Sequence, residues 1–209
     1  MRFRVLNENP EYDYREACKI TQGSILDLAD GLNVKDKTEW WIKQIIANHS
    51  TLRVVHFRLV DAQPKSVVMQ IIRATKGHPQ PEVQSSRPDW TGKERSSDPY
   101  EDKIFMQDHT AESFIEMAKQ RLCIRTEEKT RKFMNEMVIE LRHSSDHFLQ
   151  AVGYCCHPQC EWSGCLCTEI KGCGRFGKLS ELIINEYKVG EGLLTRDKKT
   201  EYEDASLRG

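Results

Sequence analysis

The chain has 209 residues, enough for one generous domain with a single buried core or for two small ones. Charged residues make up 30% and hydrophobic ones 38%, ordinary for a soluble globular protein, and the formal net charge of −1 lacks the basic excess of a bulk nucleic-acid binder. Any phosphate the protein holds must therefore be met by individually placed arginines.

No apolar run reaches the length of a membrane span, and Met1-Arg2-Phe3-Arg4-Val5 lacks the apolar core of a signal peptide. The expected location is cytoplasmic, with neither membrane nor nucleic acid as partner. Eight cysteines are then not expected to form a disulfide framework, and six of them fall between Cys155 and Cys173.

In chain order, residues 37–48 place Trp40, Trp41, Ile45 and Ile46 at helical spacing. Residues 53–60 follow, where Val55, Phe57 and Leu59 alternate with His56 and Arg58, the pattern of a strand with one wet face. Pro64 is expected to open a helix with Val67, Val68, Ile71 and Ile72 on its apolar side and Gln70 and Arg73 together on the other. Residues 77–100 are dense in proline, glycine and serine and predict a long loop, a type of segment that is often functional. Helical periodicity returns near Thr110, with Ala111, Phe114, Ile115 and Ala118 on one face. A second long helix is predicted from about Thr126 to about Leu149, then the cysteine-rich segment 155–175, then a short helix carrying Leu179, Leu182, Ile183 and Tyr187. The pattern reads as α+β, helix-rich with a small antiparallel sheet. Residues 1–192 are expected to form a single domain, and residues 193–209 a charged, disordered tail.

Three groups of residues could carry chemistry. Gln70-x-x-Arg73 and the later Gln84-Ser85-Ser86-Arg87 bring two guanidinium forks and two hydroxyls to a hinged loop, a donor set that suits phosphate. A solvated polar loop would have the same composition. Arg121 and Arg125 are four apart at a helix junction and suit an anion, or else the C-terminal helix dipole or the neighbouring Glu127 and Glu128. Cys156, Cys160, Cys167 and Cys173 could supply four thiolates to tetrahedral zinc, although the spacing is not that of paired C-x2-C ribbons. Packed small thiols or a redox-sensitive patch are the alternatives.

Taken in order, these pieces resemble the flavin-dependent thymidylate synthase (ThyX) family over about residues 14–175. Asn48-His49-Ser50-x-x-Arg53 is similar to its His-Ser-Pro segment. Gln70-x-x-Arg73 with Ser85-Ser86-Arg87 is similar to its RHRxxSxxxxSxR signature. Arg121-Leu122-Cys123 with Glu128-x-Thr130-Arg131 resembles its late helix pair, and the stretch from Pro158-x-Cys160 to Cys173-Gly174 resembles the cysteine-bearing end of one branch. The resemblance implies a ThyX-like α+β fold, a homotetramer with intersubunit active sites, and reductive methylation of dUMP to dTMP with methylenetetrahydrofolate, FAD and NADPH. Gln70, Arg73, Ser85, Ser86, Arg87 and Arg121 would bind the nucleotide, with Arg121 and Ser85 as catalytic residues. Ser50, Arg53, Arg73, Lys76 and Arg125 would serve the cofactor.

The chain departs from that pattern on the flavin side. Ala74 and Thr75 stand where the signature has His and Arg, and Glu112 reverses the charge of a flavin-contacting arginine. A dUMP or dCMP hydroxymethylase with weak or no flavin is therefore a second expectation. A zinc-stabilised nucleotide-binding protein without catalysis is a third.

Overall fold

The computed structural model describes residues 1–21, 37–47, 50–74, 82–92, 94 and 96–190. Asn48, His49, Lys76 and the tail expected over 193–209 lie outside the described residues. The contacts divide the chain into two compact units, Met1–Pro158 and Gln159–Gly209. The division falls inside the cysteine-rich segment, which the sequence had placed in one domain.

The first unit is built on a four-stranded antiparallel sheet in the order β1-β2-β4-β3. Its strands are β1 (Arg2–Val5), β2 (His56–Pro64), β3 (Glu82–Val83) and β4 (Asp102–Thr110). The helices are α1 (Pro10–Thr21), α2 (Lys37–Ile46), α3 (Lys65–Ala74), a short α4 (Pro88–Thr91), α5 (Ala111–Arg121), α6 (Glu128–Arg142) and α7 (His147–Cys155). This is the α+β class with a small antiparallel sheet.

The core forms where helical stripes meet one face of the sheet. Phe57 and Leu59 of β2 and Phe105 of β4 are buried on that face, against Phe114 of α5, Phe133 of α6 and Phe148 of α7. Trp41 of α2 packs edge-on to Phe148, their ring centroids 5.2 Å apart. Full burial of one such side chain is worth roughly 1.5–3 kcal/mol, so the aromatic set dominates the stability of the unit.

Several boundaries differ from the expectation, each for a local reason. The strand begins at His56, because Ser50–Val54 forms a 3-10 turn. Asn7 clamps that turn: its amide nitrogen donates to the Val54 carbonyl at 2.9 Å and its oxygen accepts the His56 amide at 2.7 Å. Pro64 ends β2 instead of starting α3; it pairs in register with Asp102, and α3 begins at Lys65. The predicted helix from Thr126 to Leu149 is two helices. Residues 143–146 interrupt it, and Asp146 caps α7 by accepting the Leu149 amide at 3.0 Å, as an aspartate at that position favours. Gly153 lets α7 approach α6 closely, since a Cβ there would lie 2.7 Å from the Arg142 amide nitrogen.

Strand β4 had no signature in the sequence. Its core-facing side carries Lys103, Phe105, Gln107 and His109, all buried, while Ile104 is exposed. The apolar alternation that marks a strand is thus inverted at three of its positions. Lys103 is satisfied by Glu101 at 2.8 Å, and the His109 Nδ1 lies 3.2 Å from the Ser113 hydroxyl. β1 and α1 were also unassigned from sequence.

In the second unit, α8 (Gln159–Trp162) and α9 (Leu179–Gly190) flank an irregular stretch. Gly164 and Cys165 both adopt left-handed backbone, and Cys167 bridges to Lys178. The helix expected around Leu179 and Leu182 is present as α9. No helix of the described residues is long and apolar enough to cross a membrane.

Candidate functional site

Arg73 and Arg121 stand in the last turns of α3 and α5, where an arginine faces the partial negative charge of exposed carbonyls. The fold packs α3 against both α5 and α6, and this brings the two arginines within electrostatic reach of each other. The Arg121 guanidinium is held below its usual pKa, first by burial and then by the positive charge of Arg73. The Arg121 Nε is buried without a hydrogen-bond partner. Among the described residues neither arginine pairs with a carboxylate. Two like charges set together, one of them partly desolvated, form an arrangement that an anion stabilises by supplying the missing counter-charge. Gln70 shares the half-buried side of α3 one turn before Arg73.

Ser85, Ser86 and Arg87 are organised by the sheet edge. Gln84 clips this segment to β4: its amide donates to the Ile104 carbonyl at 2.8 Å and its side-chain oxygen accepts the Ile104 amide at 3.3 Å. The Ser85 hydroxyl then accepts the Arg87 amide at 3.1 Å, a local turn that fixes the extended backbone of Arg87 ahead of α4. Pro88 opens α4, and Gly92, with φ of 65°, closes it in the left-handed conformation that glycine favours. The expected long loop thus contains β3 and α4. Arg87 and Ser86 are exposed and Ser85 is half-buried.

The residues assigned to the cofactor are arranged differently. Ser50 and Arg53 lie on the 3-10 turn and are exposed. Arg53 is bound in a two-pronged ion pair to Glu112, through its Nε and, at 3.0 Å, through its Nη2. Glu112 sits in the first turn of α5, where a carboxylate is favoured by the positive end of the helix. The pair holds Arg53 above its usual pKa. Arg125 is exposed in the turn between α5 and α6, which is fixed by the Thr126 hydroxyl donating to the Gln120 carbonyl at 2.8 Å. A flavin pyrophosphate needs unneutralised cations, and Arg53 is already neutralised. To meet that group Arg53 would have to leave Glu112.

Comparison with known proteins gives no match, either to a family model or to a curated relative.

Of the four cysteines expected to hold zinc, Cys156 belongs to the first unit and Cys160, Cys167 and Cys173 to the second. Among the described residues no group of three or more His, Cys, Asp or Glu is placed to hold a metal ion. Burial raises the Cys156 thiol above its ordinary range and pushes Cys155 up to about 12. The cysteines form no disulfide among the described residues, and Cys165 and Cys173 are exposed.

Two features escaped the sequence reading. The Arg53–Glu112 pair joins residues 59 apart and has no local signal. Gln107 is buried on β4 with both side-chain amide atoms unpartnered in the protein, in a strand that its own polarity had concealed.

Proposed function

We propose that this protein binds a pyrimidine deoxynucleotide monophosphate and adds a one-carbon unit to it, as a ThyX-like transferase making dTMP from dUMP. The observation that carries the reading is the pairing of Arg73 with Arg121. These two residues were singled out from separate motifs, and the half-buried Arg121 stands within electrostatic reach of the exposed Arg73, neither with a carboxylate among the described residues. In this role both guanidinium groups hold the phosphate, and burial of Arg121 strengthens the contact by excluding water. Gln70, Ser85, Ser86 and Arg87 complete the binding set, with Ser85 and Arg121 nearest the reacting base. Methylenetetrahydrofolate supplies the carbon, and FAD with NADPH supplies the hydride chemistry when bound. The intersubunit homotetramer belongs to the same proposal.

The Arg53–Glu112 pair favours a second reading, in which the one-carbon unit is transferred to dUMP or dCMP with flavin weakly held or dispensable. One experiment tests both. The protein is incubated with dUMP or, separately, dCMP and methylenetetrahydrofolate, with and without FAD and NADPH, and the nucleotide is analysed by mass. A methylated product that requires FAD supports the first reading. A hydroxymethylated product without FAD supports the second. Unchanged dUMP and unchanged dCMP under all conditions overturn both.

A further inference from the structure

The face of the sheet opposite the core is open, and the strand register dictates its composition. Directly paired residues on neighbouring antiparallel strands project to the same side. Arg2 pairs with Val60, Val60 with Met106, and Met106 with Glu82, so one row across all four strands reads Arg2–Val60–Met106–Glu82. The row beside it reads Arg4–Arg58–Asp108, and the row on the other side pairs Ala62 with Ile104. Arg2, Arg4, Ala62, Ile104 and Glu82 are exposed, and Ile104 keeps 54% of its surface in water. Arg2, Arg4 and Glu82 make no ion pair among the described residues. The face is therefore basic along β1 and acidic at Glu82 of β3; between them β2 and β4 carry Val60, Met106, Ala62 and Ile104 beside the mutually paired Arg58 and Asp108.

We infer that this face docks against the same face of a second copy of the chain. A two-fold axis parallel to the strands turns one sheet over onto the other and reverses the strand order. Each row then meets its own reverse. Arg2 faces Glu82, and Val60 faces Met106, each twice by symmetry. In the adjacent row Arg58 and Asp108 already pair within each chain and add no net charge to the contact, and in the third the small Ala62 faces the large Ile104. A two-fold axis across the strands would set arginine against arginine instead, so the charges select one orientation. An interface built on a two-fold axis must be complementary to itself, and aligned packing of two sheets is a standard arrangement. This inference rests on the sheet register and exposure alone, independently of the nucleotide reading.

The test is sedimentation velocity of the full chain over about 1–100 μM, the range in which an interface of modest area is populated. Dimers are expected, weakened by added salt. Arg2→Glu and Glu82→Arg should each weaken association about tenfold or more, because each sets like charges together twice per interface. Mixing the two variants should restore it, since one offers acidic ends and the other basic ends. Ile104→Lys, at an exposed position, is a further disrupting variant, and circular dichroism checks that each variant is folded. A monomer throughout the range overturns the inference, as does an assembly that Arg2→Glu, Glu82→Arg and Ile104→Lys all leave unchanged. Restoration on mixing supports it.

Discussion

Arg53 and Arg121 are both arginines drawn from motifs that suit an anion, yet the fold treats them oppositely. Arg53 is exposed and locked to Glu112. Arg121 is partly buried, lacks a carboxylate among the described residues, and stands against a second positive charge. The difference shows that an arginine reports an anion site only when the protein itself does not neutralise it. A guanidinium already paired must give up one carboxylate to gain a ligand, and the net gain is small. A guanidinium that is partly desolvated and repelled gains the whole of the new interaction.

The sharpest way to break this comparison is to remove Arg121. Arg121→Met should weaken dUMP binding by about tenfold to a hundredfold, the equivalent of a charge-assisted contact of roughly 1.5–3 kcal/mol. It should leave the thermal midpoint unchanged or slightly raised, because the variant loses a like-charge repulsion and keeps the side chain's apolar stem. Calorimetric titration and a melting curve read the two effects. Equal loss of affinity for deoxyuridine, which lacks the phosphate, would show that Arg121 is structural.

The comparison sharpens in the opposite direction at Glu112. Glu112→Gln releases Arg53 and removes a negative charge from the flavin side. FAD affinity should rise by about tenfold, the lower end of one recovered charge-assisted contact. The affinity for dUMP should not move. Titration of wild type and variant with each ligand separates the outcomes, and unchanged FAD affinity would place the flavin contacts away from Arg53.

The smallest effect concerns pH. Arg58 and Asp108 form a second two-pronged pair across β2 and β4, at 2.6 and 2.7 Å. The hydrogen bonds from Arg58 hold the Asp108 carboxyl below its ordinary value of 3.8, against the opposing effect of partial burial. A lowered folded-state pKa contributes stability that is complete above the ordinary value and is lost as pH falls through the folded one. Asp108→Asn should therefore lower the urea midpoint modestly at about pH 7, and by progressively less as pH falls below the ordinary carboxylate value. A difference that stays constant as pH falls would assign the effect to packing. A guanidinium contact carries no such acid dependence of its own. Nucleotide binding at Arg73 and Arg121 should follow only the second ionisation of the phosphate, near about pH 6.

Much of this protein was legible without coordinates, and the legible parts share a physical basis. α2, α3 and α5 were read from apolar spacing because each buries one stripe of its own local sequence; α9 was read from the same spacing, although its Ile183 is exposed. β2 was read for the same reason, with Phe57 and Leu59 inward and His56 outward. Arg73 and Arg121 were recognisable as candidates from residue type and motif order. What sequence could not supply depends on partners far along the chain. β4 is the exception: it was invisible because Lys103, Gln107 and His109 face the core, although Lys103 and His109 are met by the near neighbours Glu101 and Ser113. The break between α6 and α7 depends on which of two adjacent helical stretches packs where. The neutralisation of Arg53 depends on a carboxylate 59 residues away. Local periodicity records which side of an element is dry. Which charges remain unsatisfied is decided only when distant elements meet.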